Sequence, residues 1–168
     1  APDPTGTVEG TEGRKIDRLG LLSVNDIEEF WSQHYGPPLE DSFSPVEEVH
    51  SYDSTVPFGP QICGLDTYDF ANAFYCNSQR LIAWDRGTLM PTVQKYFGDM
   101  AIAGVLAHEY GHAVQRMAGL TGRGTPTVVA EQQADCFGGA YLRWVAEGSS
   151  PRFTLSTSDG LNLVLAAM

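Results

Sequence analysis

Apolar residues recur at helical spacing in several stretches of the chain. Ile27, Phe30, Trp31 and Tyr35 follow Ser23-Val-Asn-Asp26, which offers an N-cap. A helix from about Val24 to His34 is expected there, stopped by Gly36-Pro37-Pro38. The strongest helical pattern covers about 99–118, with Asp99 as N-cap and Gly119 near its end. Thr88–Phe97 reads as a shorter helix that tolerates Pro91 in its first turn. Thr125-Pro126 opens a further helix, Thr as cap and Pro at the first helical position, running to about Ala146 before Gly148. A last helical piece begins near Ser158 and is still running at Met168, as in a chain that continues.

The β signals are shorter. Residues 39–60 scatter prolines and glycines among small apolar pieces and read as loop, with one strand near Val46–Tyr52. Ala73–Cys76 and Leu81–Trp84 are β-prone runs joined by Asn77-Ser-Gln-Arg80, so a hairpin is expected. The fold class is therefore α+β, mainly helical, with a small antiparallel sheet or hairpin. No internal repeat appears. Residues 1–15, which open with a Pro/Gly/Thr-rich run, are expected as a flexible leader, and 16–168 as a single domain truncated at its C-terminus.

Composition narrows the partners. The 168 residues are 42% hydrophobic, ordinary for a globular chain able to bury a core. Twenty-one acidic residues against 10 basic ones give a net charge of −11, and no Lys/Arg cluster exceeds Arg14, Lys15 and Arg18. That balance speaks against nucleic acid, which needs a basic face to displace counterions. No apolar run approaches the roughly 20 residues of a membrane-spanning helix. The chain opens Ala-Pro-Asp-Pro, as a mature N-terminus after signal removal or trimming would, and a membrane tether could be lost with the same segment. Cys63 and Cys76 bracket Gly64, Asp66 and Asn72, so a hairpin closed by a disulfide is expected, against the alternative of three reduced thiols. The bridge would put the chain in an extracytoplasmic compartment: secreted, periplasmic or cell envelope.

The candidate chemistry lies in His108-Glu109-Tyr110-Gly111-His112. Residues four apart on a helix lie about 40° apart in azimuth and about 6 Å apart along the axis, so both imidazoles can reach one zinc ion. Glu109 points to the edge of that face and can act on water without ligating the metal. Glu131-Gln-Gln-Ala-Asp135 lies on the next helix with both carboxylates on one face. Glu131 is placed to be the third ligand of one Zn²⁺ per chain. Asp135 would accept a hydrogen bond from the far nitrogen of a ligand imidazole, most naturally His108. Gly138 and Gly139 continue near that face, where close helix approach needs small residues.

The runs Ala107-His-Glu-Tyr-Gly-His-Ala-Val-Gln115 and Glu131-Gln-Gln-Ala-Asp-Cys-Phe-Gly-Gly139 resemble the bacterial neutral zinc metallopeptidase family, whose E-x-x-x-D layout is the wider gluzincin arrangement. The resemblance extends to Ala73–Cys76 and Leu81–Asp85 and covers roughly residues 61–147. It implies a zincin-like fold, His108, His112 and Glu131 as ligands, Glu109 as catalytic, and a peptide or protein substrate. It also implies that Cys136 pairs with a cysteine further downstream, where this chain has none.

Three protein ligands leave an open coordination position, the mark of a catalytic zinc. Glu109 would act as general base in peptide-bond hydrolysis. Two other readings use the same residues: a zinc-binding module with weak or no catalysis, and a zinc hydrolase of non-peptide bonds. For a second oxyanion stabiliser the sequence offers Arg143, His34 and His50, while Tyr110 and Tyr141 face away. The strand Leu81–Trp84 is expected beside the zinc helix, either bordering the cleft or as an internal strand. Phe74, Tyr75 and Trp84 are expected in the core. Substrate preference and oligomeric state are not legible.

Overall fold

The computed structural model describes residues 2–39, 41–156, 160, 162, 164 and 165. The helical piece expected from Ser158 falls largely outside the described residues. The chain runs α1 (Lys15–His34), β1 (Glu48–Tyr52), β2 (Gln61–Ile62), β3 (Leu65–Asp66), β4 (Ala73–Cys76), β5 (Leu81–Asp85), α2 (Leu89–Phe97), α3 (Asp99–Met117) and α4 (Thr127–Ala146). The class is α+β, as expected.

Helix α3 is the central element. It packs against α4, α1, α2 and β4. Ala101, Ile102, Leu106, Ala107, Tyr110, Ala113 and Val114 are all sealed from solvent, and their small and branched side chains let neighbours approach from several sides. Its N-cap is Gly98; Asp99, expected as the cap, sits in the first turn and accepts a hydrogen bond from Gln94 Nε2 at 2.9 Å. Helix α4 shifts the other way: it is capped one residue later than expected, by Pro126, and the Thr125 hydroxyl accepts from the Gly122 N–H at 3.1 Å.

Helix α1 starts well before the expected Val24. Ser23 and Asp26 are internal to it rather than capping, and both are buried. Burial of these polar groups is sustained by partners. Ser23 Oγ donates back to the Leu19 carbonyl at 2.8 Å, and Asp26 accepts from Tyr141 Oη at 2.6 Å and Ser150 Oγ at 2.8 Å. Asp17, also buried, accepts from Ser51 Oγ at 2.7 Å and Trp84 Nε1 at 2.8 Å, and so ties α1 to the sheet.

The larger sheet has the order β1-β5-β4. The β4–β5 hairpin is antiparallel, with Ala73 opposite Trp84, as expected. Strand β1, however, runs parallel to β5, with Glu48 opposite Leu81, so the sheet is mixed rather than antiparallel. A parallel pair needs a crossover, and here residues 53–80 provide it, carrying the small β2–β3 hairpin. Every residue of β5 is buried, as suits the central strand. The segment expected as a leader lies along the outer edge of β1: Glu9 N–H donates to the Val49 carbonyl at 2.8 Å, and Ser51 N–H to that of Glu9 at 2.9 Å. Among the described residues strand β4 has no such cover on its far side and forms the other sheet edge. Cys63 and Cys76 form the expected disulfide, which fastens the β2–β3 hairpin to β4 and suggests an oxidising, extracytoplasmic environment. No described helix is long and apolar enough to cross a membrane.

Candidate metal centre

Two helices build the site. His108 and His112 project from one face of α3, their ring centroids 5.0 Å apart and nearly perpendicular. Glu131 and Asp135 project from one face of α4. Glu131 Oε2 lies 3.0 Å from His108 Nε2 and 2.9 Å from His112 Nε2. Asp135 Oδ1 lies 2.6 Å from His108 Nδ1, the pairing expected from the sequence.

His112 has its own support, which sequence reasoning missed. Its Nδ1 lies 2.8 Å from Gln115 Oε1, and Gln115 is buried. The Gln115 amide is oriented by its Nε2, which donates to the Ala130 carbonyl at 2.7 Å and to Gln133 Oε1 at 3.1 Å. Its oxygen is thus free to accept from His112. The signal was the three-residue step from His112 to Gln115, which places both on one helix face.

Asp135 and Gln115 offer each Nδ1 an oxygen to which it can donate. With the proton of a neutral ring on that side, each Nε2 presents a lone pair toward Glu131. Two lone pairs and a carboxylate oxygen then converge with no donor among them. A divalent cation satisfies all three acceptors at once. The nitrogen–oxygen gaps are also within a few tenths of an ångström of the about 3.3 Å between ligands in a tetrahedral site with bonds of about 2.0–2.1 Å. The residues present therefore fit a metal ion. His108, Glu109 and His112 also place ligand atoms within 4.8 Å of one another. Glu109 and Glu131 are thus both within reach as carboxylate ligands.

Glu109 is distinguished from Glu131 by its surroundings. Burial, reinforced by the charges of Glu131 and Asp135, pushes its carboxyl up to about 8. Glu131 is half-exposed.

The site opens on a cavity of about 520 Å³. Its floor is His108, Glu109, His112 and Glu131, and its walls are Leu89 and Val93 of α2, Val105 of α3 and residues 72–75. The bordering strand is thus β4, not β5 as one reading had it: β5 is the interior strand, and its partner β4 faces α3. Trp84 is in the core as expected; Phe74 and Tyr75 are half-buried against the core and also line the cavity.

The other polar candidates are engaged elsewhere. Tyr110 Oη donates to Glu28 at 2.6 Å, and Tyr141 Oη to Asp26. His34 bonds to the Phe30 carbonyl, His50 to Glu48 and Arg143 to Glu147, and none of the three lines the cavity. Of the two glycines expected at the helix approach, Gly138 is buried, but a β-carbon at Gly139 would meet nothing within 4 Å; a tight backbone contact is instead that of Gly111 with Ala134. Cys136 is a free, exposed thiol.

Comparison with protein-family models, curated proteins and solved structures finds no match to this chain. The resemblance to zinc metallopeptidases rests on the motifs quoted above.

Proposed function

We propose that the protein is a zinc-dependent peptidase of the gluzincin type, with a zincin-like arrangement of helices and sheet edge. His108, His112 and Glu131 hold one Zn²⁺, and Glu109 is the general base. The observation that carries this reading is the position of Glu131 Oε2, within 3.0 Å of both Nε2 atoms while both Nδ1 atoms are bound elsewhere. It supports Glu131 as the third ligand and Glu109 as the base.

When bound, the metal supplies Lewis acidity, which polarises a substrate carbonyl and acidifies water to a pKa of about 7. The chain does the rest. Asp135 and Gln115 hold the two rings in the ligating tautomer. The burial and neighbouring charges that raise the Glu109 carboxyl would be offset by a bound cation, and its ionised form accepts a proton from the attacking water and delivers it to the departing amine. Strand β4, paired on one side only, offers backbone N–H and C=O groups along the cavity wall to an extended peptide. Leu89, Val93 and Phe74 offer apolar surface to its side chains.

The test is Glu109→Gln. Cleavage of a peptide panel is expected to fall by at least about a hundredfold with zinc content unchanged. Equal cleavage by both proteins would remove Glu109 from the chemistry, and cleavage of esters alone would move the activity to another bond type.

A further inference from the structure

A second hollow, of about 290 Å³, opens beside the metal-site cavity, and Tyr75 lines both. Its walls carry Arg80 and Arg116, two of only 10 basic residues in a chain with 21 acidic ones. Arg116 lies four residues beyond His112, which itself lies four beyond His108. All three therefore follow one stripe of α3, and Arg116 stands about 6 Å further along the axis than His112.

Both guanidinium groups are held in place. With the Asn77 amide turned to satisfy its neighbours, its oxygen accepts from Arg116 Nε at 3.2 Å and Nη2 at 2.8 Å, which leaves Nη1 open. Among the described residues Arg116 has no carboxylate at ion-pair distance. Arg80 Nη2 donates to Ser44 Oγ at 3.1 Å and to the carbonyls of Pro45 at 3.0 Å and Ser44 at 3.4 Å, and Nη1 pairs with Glu47 at 3.2 Å, so Arg80 is the more committed of the two and Arg116 the freer. The exposed Asp41 also lines the hollow and offsets part of the positive field. The Tyr75 hydroxyl is pushed up by burial while the charges of Arg80 and Arg116 pull it back, so both cations act on the residue that the two hollows share.

We propose that this hollow is a subsite for a carboxylate of the bound peptide, taken by Arg116 with Arg80 as a second cation. The inference rests on the peptidase reading and names its substrate class. One turn of α3 matches about two residues of extended chain. The carboxylate therefore belongs a few residues from the scissile bond, as a free C-terminus or as an Asp or Glu side chain. Arg is suited to it because its planar fork binds carboxylates in two parallel hydrogen bonds.

The experiment uses the full chain carrying Glu109→Gln, supplied with Zn²⁺, so that binding is read without turnover. The probes are N-acetyl hexapeptides of Ala and Leu in matched pairs: free acid against amide at the C-terminus, and Glu against Gln at each internal position. Titration calorimetry is expected to show one acidic member binding about tenfold tighter than its neutral twin at low salt, with the gap closing as salt rises. Adding Arg116→Gln should abolish the gap, and Arg116→Lys should restore part of it. The pair that responds identifies the source of the carboxylate. Equal affinity within every pair overturns the subsite, as does a preference that survives replacing both arginines in a protein with an unchanged circular dichroism spectrum. Cleavage by the unmutated protein separates this from the peptidase reading. Peptides cut without regard to the carboxylate sink only the subsite, whereas preferential binding with no cutting sinks only the peptidase.

Discussion

Gly111 of α3 lies so close to Ala134 of α4 that a β-carbon on it would sit 2.8 Å from the Ala134 carbonyl oxygen and 3.0 Å from its Cα. This contact sets the spacing of the two helices that share the candidate metal site. Gly111 stands one residue before His112, and Ala134 one residue before Asp135. The obstacle is backbone, which cannot swing aside as a side chain can. Gly111→Ala is therefore expected to push α4 away, at a cost of about 1–3 kcal/mol in stability. Metal affinity should fall with it, because Glu131 and Asp135 move together. Denaturant unfolding and chelator competition check this; a variant unchanged in both would show that the helices are not held at this spacing.

Asp135→Asn tests the support of the His108 ring. Loss of the carboxylate facing Nδ1 at 2.6 Å should weaken metal binding by about 10–100-fold with the fold intact. Gln115→Ala should do the same through His112. Unaltered affinity in both variants would mean that the rings do not depend on these partners.

Glu28 provides a pH dependence of stability. Its carboxyl accepts from Tyr110 Oη, and burial raises it above its ordinary 4.5 in spite of that bond. The folded protein thus keeps this proton where the unfolded chain has released it. Its stabilising contribution is complete below about 4.5 and is lost as pH rises through the higher folded value. Glu28→Gln keeps an acceptor for Tyr110 and has no proton to lose. Urea unfolding across this range should show a shallower fall with pH in the variant than in the unmutated protein, and parallel curves would contradict the assignment.

The Cys63–Cys76 bridge closes a short loop, with a sequence separation of 13. Reduction is expected to cost about 3 kcal/mol. Because the bridge ends on β4, the cavity wall should loosen as well. Hydrogen exchange at residues 73–76, with and without reductant, is the direct check; protection that does not change would show that the sheet holds β4 unaided.

Much of the site was legible because it is local. The four-residue steps from His108 to His112 and from Glu131 to Asp135 each put a pair on one helix face, and the pairs meet as the spacing implies. The β4–β5 hairpin was legible for the same reason. The parallel register of β1 on β5 was not, since residues 53–80 intervene and no local pattern encodes it. That non-local pairing also decides which strand is the edge, so it moved the cavity wall from β5 to β4. The first half of α1 was hidden by Asp17, Ser23 and Asp26, polar residues at buried positions: Ser23 is satisfied within the helix by the Leu19 carbonyl, while Asp17 and Asp26 have partners far away in sequence, on β1, β5 and α4 and at Ser150. Gln115 was overlooked because only its contacts with α4 orient its amide toward His112.

The whole functional account depends on a metal ion drawn to the point where two lone pairs and a carboxylate oxygen meet. Elemental analysis of protein purified without chelator, unmutated and as Glu131→Ala, measures it. The account predicts about one zinc per chain in the first and, after brief dialysis against a weak chelator, almost none in the second. Unmutated protein that takes up no divalent metal, or a Glu131→Ala variant that retains zinc as tightly, would contradict it.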